Sequence, residues 1–464
     1  MLKIIFLFLM ASGLPVAIAM AGASLVYIWF SGNLPSFVVI HHMVSGIDSF
    51  PLLAVPFFIL AGNLMNNAGI TNRIYNFALA LVGWLKGGLG HVNIIGSVIF
   101  SGMSGTAIAD AAGMGTIEIQ AMKDHGYTTE FAVGVTAASA TLGPIIPPSL
   151  PFVIYGMMAN VSVGALFIAG LLPGLLMTVL MMLTVTYYAH KNGWGADIKF
   201  SWPVFSKALL ELVFVSAWPL VLWLLIAYAD MPPRPTVLIG LALLFVADKL
   251  FSFEAVLPIM TPVLLIGGMT SGLFTATEGA IAACVWSLVL GLFWYRTLSL
   301  KTAVKVSLET IETTSTVLFI VAAASIFGWM LTATGVTADI AKWVLEFTTK
   351  PWVFLLMANM LMLFVGCFLE TTAAITILVP ILLPIANQLG IDPIHFGLVM
   401  VLNLMIGLLH PPMGMVLFVL ARIAKLSVEQ TTMAILPWLV PLLASLAIIT
   451  YWPAMVLWLP KMFY

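Results

Sequence analysis

A proline-broken apolar element occurs twice in this chain, as ATLGPIIPPSLPFVIYG over Ala140–Gly156 and as LMIGLLHPPMGMVLFVL over Leu404–Leu420. A tandem proline after a glycine cannot continue a helix, because proline lacks the amide proton and its ring clashes with the preceding turn. Both copies are otherwise apolar enough to lie in lipid. There an unpaired carbonyl or amide is costly unless it lines a protein cavity or coordinates something. The chain must therefore fold so that two broken helices are enclosed by the rest of the protein.

The register extends beyond the prolines. Gly126 and Gly390, Gly143 and Gly407, Pro147 and Pro411, and Pro148 and Pro412 are each 264 positions apart. Upstream, Gly62 and Gly328, Gly69 and Gly335, Thr71 and Thr337, Ile74 and Ile340, Thr106 and Thr372, and Ala107 and Ala373 are each 266 apart. A two-residue gap between Ala107 and Gly126 reconciles the two sets. Apolar segments share Gly, Ala and Leu by chance, but constant offsets over this many pairs favour an internal duplication.

Only 8% of the 464 residues are charged and 62% are apolar, which excludes a water-soluble globule with a charged surface. The apolar stretches suit about a dozen inserted segments. Lys3, the following apolar run and the small residues of AIAMAGA imitate a secretory signal. Apolarity continues to Phe30, however, so a retained first helix is expected. The near-neutral net charge of −1 points to no nucleic acid partner. Cys284 and Cys367 lie in apolar segments without metal-ligand spacing and read as packing residues. His190, Lys191, Lys199 and Lys207 form one basic cluster and Arg296, Lys301 and Lys305 another, so both loops are expected in the cytoplasm.

These features divide the chain into an N-terminal membrane-helix region (residues 1–35), a first repeat with hairpin 1 (36–188), a central stretch (189–306) and a second repeat with hairpin 2 (307–464). The central stretch holds the linker KNGWGADIKFSW, two apolar segments joined by ADMPPRP that predict a helical hairpin, and a helix around Glu278. Thr71–Trp84 and Thr337–Phe347 carry polar residues at helical spacing and predict paired amphipathic arms.

Two pairs of breaks hold the candidate chemistry. The first joins SGMSGTAIAD (Ser101–Asp110) with TLGPIIPPS (Thr141–Ser149). Hydroxyls beside carbonyls freed by proline, with no compulsory carboxylate, suit sodium. Gly and Ser also serve simply to let helices pack closely. The second pair joins GCFLETTAA (Gly366–Ala374) with NLMIGLLHPPMG (Asn403–Gly414). Glu370 there is an intramembrane carboxylate, either a functional or protonatable group or a helix cap satisfied by backbone amides. Thr275 with Glu278 reads as a capping pair. Asp110 and Glu118 suit either cavity lining or helix ends, His410 reads as structural, and Asp392 and His395 are expected in a loop near the membrane interface. No Gly-x-Ser-x-Gly, His-Glu-x-x-His or paired catalytic aspartates occur in the apolar spans, so an enzyme is not expected.

In combination, GTIEIQAMKDHGY (Gly115–Tyr127), the Thr136–Gly156 segment, SGLFTATEGAIAA (Ser271–Ala283), ETTAAITILVPILLP (Glu370–Pro384) and the Gly390–Pro412 segment resemble the large, DctM-like membrane subunit of tripartite ATP-independent periplasmic (TRAP) transporters, in the ion transporter superfamily. The resemblance implies an all-α polytopic protein of the bacterial inner membrane. Its two inverted repeats, with re-entrant hairpins and discontinuous helices, would build a scaffold and an elevator-type transport domain. It implies sodium-driven import of an organic acid anion delivered by a periplasmic substrate-binding protein, beside a small four-helix membrane subunit. Dicarboxylates, keto acids, sugar acids, sialic acid and ectoine-like solutes all remain open. By motif, Ser101, Ser104, Gly143, Ile146 and Pro148 would form one sodium (Na+) site. Gly366, Thr371, Thr372, Gly407 and Met413 would contribute to a second, and Ser149, Glu370 and Thr106 would face the substrate. The central insert and Glu370, where the family often has aspartate, depart from the pattern. A stand-alone sodium- or proton-coupled symporter is the alternative, testable by uptake without a binding protein.

Overall fold

The computed structural model describes residues 1–32, 35–228, 233–251, 253, 255–270, 274–411 and 414–463. The chain is all-helical. Its only extended pairing among these residues is one bridge between Lys86 and Ala196. Among the described residues six helices are long and apolar enough to cross a membrane: Phe50–Asn67, Val163–Asn192, Ala276–Trp294, Leu300–Ala333, Thr371–Gln388 and Val428–Tyr451. Other apolar helices are shorter because glycine and proline interrupt them, so the dozen apolar stretches do not translate into a dozen long helices. The central pair appears as helices Trp202–Tyr228 and Pro233–Phe251, which touch each other. Residues 229–232 of their proline-rich joint lie outside the described residues.

The two amphipathic segments form helices Ile70–Val82 and Val336–Phe347. Each follows a glycine in the left-handed region, Gly69 at φ 68° and Gly335 at φ 75°, a conformation that costs a residue with a Cβ. In the first helix Ile70, Ile74 and Phe77 are buried while Asn72 and Asn76 are exposed. In the second, Thr337, Ala341 and Val344 are buried, and an exposed Lys342–Glu346 pair spans 3.9 Å on the outer face.

Two sets of broken helices occupy the middle of the molecule. The first comprises Gly88–Ser104, Ala107–Asp124, Thr129–Ala140 and Leu150–Ala159. The second comprises Pro351–Gly366, Thr371–Gln388, Pro393–Gly407 and Met415–Ala424. They share one apolar core: Tyr155 donates its hydroxyl to the Pro393 carbonyl at 2.6 Å, and Phe354 stacks near Phe396. A Cβ built at Gly397 would meet the Tyr155 ring at 2.2 Å, so glycine is what lets these helices cross.

Longer helices surround this centre. Leu300–Ala333 packs on Val16–Ser31, Phe37–Ile47, Ala54–Asn67 and Thr371–Gln388. Glycines of the repeat set the closest approaches. A Cβ at Gly62 would lie 3.2 Å from the Ser104 Cα, and one at Gly328 would lie 3.1 Å from the Pro380 ring. Such small-residue contacts supply the close dispersion packing that holds helices together in lipid.

The segment linking helix Val163–Asn192 to helix Trp202–Tyr228 is not slack. Gly193 ends the first helix at φ 68°, and Trp194 then packs tilted against Tyr127 and edge-on to Phe131, with ring centroids 4.5 and 4.6 Å away. Asp197 accepts the Leu89 amide at 2.8 Å and the Tyr127 hydroxyl at 2.6 Å. One carboxylate thus ties the start of helix Gly88–Ser104 to the turn ahead of helix Thr129–Ala140. A negative charge at a helix N-terminus is also favoured by the helix dipole.

Candidate functional site: two paired helix breaks

The first break forms where helix Gly88–Ser104 stops at Gly105, φ 63°, and helix Ala107–Asp124 restarts with Thr106 as its N-cap. The Thr106 hydroxyl accepts the Ala109 amide at 3.2 Å. In the facing arm, helix Thr129–Ala140 gives way to a non-helical stretch through Pro148, where Pro144, Pro147 and Pro148 remove amide donors. Ser149 caps the following helix by accepting the Phe152 amide at 3.3 Å, and donates its own proton to the Pro144 carbonyl. Its hydroxyl is thereby engaged within its own loop.

These two tips meet main chain to main chain. The Leu150 amide donates to the Gly105 carbonyl at 3.4 Å. A Cβ at Gly105 would lie 2.7 Å from the Pro148 oxygen, and one at Gly143 would lie 3.1 Å from the Thr106 oxygen. Helix ends leave their last carbonyls and first amides without helical partners, so this junction gathers both polarities of backbone group. Ser101 and Ser104 occupy the last turn before the break and are fully buried. Ser101 donates to the Ser97 carbonyl, while the Ser104 oxygen has no partner. Ile146 is buried against Gly174.

The second break repeats the plan with different chemistry. Helix Pro351–Gly366 ends in the turn Cys367–Leu369, and Glu370 caps helix Thr371–Gln388. Its carboxylate accepts the Thr372 amide at 2.9 Å, the Thr372 hydroxyl at 3.0 Å and the Ala373 amide at 3.3 Å. Of the two readings of Glu370, the capping geometry is present. Opposite lies Gly407, the last residue of its helix. A Cβ there would sit 2.7 Å from the Gly366 carbonyl carbon, and one at Gly366 would sit 3.1 Å from the Gly407 Cα. Thr371 and Thr372 are buried, and the Thr371 hydroxyl has no partner. His410 bonds through Nδ1 to the Ile406 carbonyl at 3.1 Å, a local structural contact. Met413, with Pro412, lies outside the described residues.

The breaks are supported by polar contacts that motif reasoning missed. Asn93 accepts from Ser139 at 2.8 Å and donates to Thr136 at 2.8 Å and to Glu118 at 2.6 Å. In the second set Asn403 donates to Asn359 at 2.7 Å, and Asn359 donates to Thr450 at 3.1 Å. Asn93 and Asn359 obey the 266-position offset, and Ser139 and Asn403 the 264-position offset. The repeat register could have revealed these pairs, had polar residues outside the breaks been aligned.

Other candidates are structural. Thr275 and Glu278 form a reciprocal capping box, the Glu278 amide meeting Thr275 Oγ1 at 3.3 Å and the Thr275 amide meeting Glu278 Oε2 at 2.7 Å. Asp392 caps helix Pro393–Gly407 through the Ile394 and His395 amides, and His395 is not in a loop but buried in the first turn of that helix, where it bonds the Ile449 carbonyl at 2.9 Å. Cys284 donates to the Phe57 carbonyl at 3.0 Å. Among the described residues no cluster of His, Cys, Asp and Glu could hold a metal ion. A cavity of about 670 Å³ opens between Phe50, Asn160, Ser162 and Glu278, away from the closed tips.

The sequence matches the family model described as tripartite ATP-independent periplasmic transporter, DctM component, over residues 3–455. It is 40% identical over 455 residues to the sialic acid TRAP transporter large permease protein SiaM of Vibrio cholerae, spanning 98% of this chain and 96% of that one. It is 39% identical over 459 residues to the sialic acid TRAP transporter permease protein SiaT of Haemophilus influenzae, spanning 99% of this chain and 68% of the relative. The fold is similar to that of the Alcanivorax borkumensis YdaH transporter, with a TM-score of 0.58 at 15% identity over 90% of this chain and 88% of that one. The family match over nearly the whole chain and the identity to its large permease proteins show that this multi-pass protein of the bacterial inner membrane belongs to the DctM component family of the tripartite ATP-independent periplasmic transporters.

Proposed function

We propose that the chain is the large membrane subunit of a sodium-coupled importer of an organic acid anion. One observation carries the sodium assignment: at each paired break a deeply buried hydroxyl oxygen, Ser104 or Thr371, lacks a partner beside backbone-to-backbone tips. An oxygen buried without a partner costs on the order of 1–3 kcal/mol, which a bound cation offsets. Ser101, Ser104, Gly143, Ile146 and Pro148 serve one sodium, and Gly366, Thr371, Thr372, Gly407 and Met413 the other. Sodium is cargo as well as ligand, because it travels with the substrate.

Ordering of the tips by sodium completes an anion site between the hairpins near Ser149, Thr106 and Glu370. The amides at the starts of helices Ala107–Asp124 and Leu150–Ala159 supply positive partial charge. Glu370 positions its helix start through the Thr372 and Ala373 amides. The broken-helix body then moves against the long surrounding helices in an elevator-type step. Each net positive charge carried inward gains about 2.3 kcal/mol per 100 mV of negative-inside potential.

A periplasmic binding protein delivers the substrate, and a small four-helix membrane subunit completes the assembly. The extra third of the SiaT polypeptide, beyond the region this chain matches, supports an additional component. Both relatives are named for sialic acid, which favours a carboxylate-bearing sugar acid within the organic acid class.

The test is uptake into proteoliposomes containing both membrane subunits, with the binding protein outside. Uptake requires sodium, and Ser104→Ala and Thr372→Ala each raise the sodium concentration for half-maximal rate. Sodium-independent uptake by the unaltered complex would sink the reading. Full uptake without any binding protein favours a stand-alone symporter.

A further inference from the structure

Two carboxylates sit inside the first set of broken helices, apart from the tips. Asp110 and Glu118 share one face of helix Ala107–Asp124 and are 1% and 2% exposed. Neither oxygen of Asp110 has a hydrogen-bond partner, and Oε1 of Glu118 has none. Burial of a carboxylate without donors or counter-charge is among the most costly arrangements a protein can hold.

The surrounding hydroxyls cannot supply all the missing donors. Ser97 is the hydroxyl beside Asp110, and its single proton serves either that carboxylate or Ser139, whose oxygen lies 3.1 Å away. Ser139 passes its proton to Asn93 Oδ1 at 2.8 Å, and Thr136 donates to the Ala132 carbonyl at 2.8 Å. The Asn93 amide gives its protons to Glu118 Oε2 and Thr136. Ser97 can therefore serve at most one of the three carboxylate oxygens, and at least two remain without a donor from this network.

The neighbouring helices bring no evident counter-charge. Gly88–Ser104 carries His91, which faces Thr186 at 3.5 Å. Ile70–Val82 carries Tyr75, near Glu118, and Arg73, whose guanidinium lies over the Tyr295 ring at 4.0 Å. Thr129–Ala140 carries Glu130 in its first turn, Met415–Ala424 carries an exposed Arg422, and Ala54–Asn67 carries no charged residue. The second repeat has no such acid: the position matching Asp110 at the 266-residue offset is Thr376.

We infer that Asp110 binds one further monovalent cation, sodium or a proton, beyond the two assigned to the tips, and that this cation moves with the substrate. Ser97 lies alongside the site, and Asn93 holds Glu118 about two turns further along the same helix, close enough for the two carboxylates to feel each other's charge. The inference rests on the sodium-coupled reading above. Sodium and a proton share the needed chemistry, a single positive charge in a site lined by oxygens, and the experiment separates them.

The full complex in proteoliposomes is clamped with opposing ion and electrical gradients, and the charge moved per substrate is read from the potential at which net flux vanishes. The unaltered complex is expected to move three coupling cations in total, and Asp110→Asn and Asp110→Thr to move about one fewer. If sodium is the occupant, the Hill coefficient for sodium also falls by about one while a pH gradient has no effect. If a proton is the occupant, sodium cooperativity is unchanged and the flux driven by a pH gradient disappears in both variants. Two coupling cations in the unaltered complex overturn the inference without the variants. So do variants that retain both the sodium and the pH dependence of the parent. Failure of the parent reading is distinct, because the unaltered complex then shows no sodium dependence at all.

Discussion

Asn403 Nδ2 donates to Asn359 Oδ1 across 2.7 Å, joining the two helices whose ends, Gly407 and Gly366, meet at the second break. The bond is buried among apolar residues, and Asn359 passes the chain on to Thr450. Asn403→Ala leaves the Asn359 oxygen unpaired and is expected to destabilise the protein by about 1–3 kcal/mol. A lower thermal midpoint in detergent, together with a smaller loss for the Asn359→Ala, Asn403→Ala double variant than the sum of the singles, checks it.

Gly407→Ala must push its methyl into the Gly366 main chain, which has no rotamer to move aside. Sodium-dependent uptake is expected to fall at least about tenfold, equivalent to about 1.4 kcal/mol in the step concerned. Gly267→Ala, where an added Cβ meets nothing within 4 Å, is the control and keeps parental uptake. Equal uptake in the two variants would show that the close contact is not required.

Asp197→Asn retains the shape of the carboxylate and removes its charge from the start of helix Gly88–Ser104. A charge-assisted bond to that amide and another to Tyr127 weaken together, for an expected loss of roughly 1–3 kcal/mol. Tyr127→Phe should cost less on its own and add little to Asp197→Asn. Additive losses in the double variant would mean that the two contacts act independently.

Thr371→Val replaces a buried, unpartnered hydroxyl with a methyl of similar size. In the absence of sodium the variant is expected to be no less stable than the parent, since an unsatisfied polar group has been removed. The stabilisation that the parent gains on adding sodium should shrink in the variant. Thermal unfolding measured with sodium and with choline reads both effects, and an undiminished sodium response would remove Thr371 from the site.

The helical class, the paired arms and both breaks were legible in the sequence because each depends on residue types with strong local consequences. Gly69 and Gly335 start the arms, Gly105 ends a helix, and the prolines deny amides to the strand of chain after Thr141. Thr275 with Glu278 was legible for the same reason, the capping box being a local motif. The internal bracing was not. Asn93 and Asn403 work through partners 25 to 46 positions away, and no local periodicity marks which polar residue on an apolar helix finds a partner. The anchoring of the Trp194–Asp197 segment was hidden likewise, because its composition reads as a loop whether or not it is held.

The contact between Gly366 and Gly407 has a consequence for how the two halves could diverge. A junction made of main chain alone constrains heredity at only the glycines that form it, and leaves the flanking side chains free to drift. Ser104 and Glu370, which occupy matching positions, are a neutral alcohol and an acid, each beside a tip closed by glycine and main chain, through Gly105 and Gly143 in one half and through Gly366 and Gly407 in the other. Selectivity in such a lineage can be rewritten one side chain at a time, while the seam beneath it stays backbone.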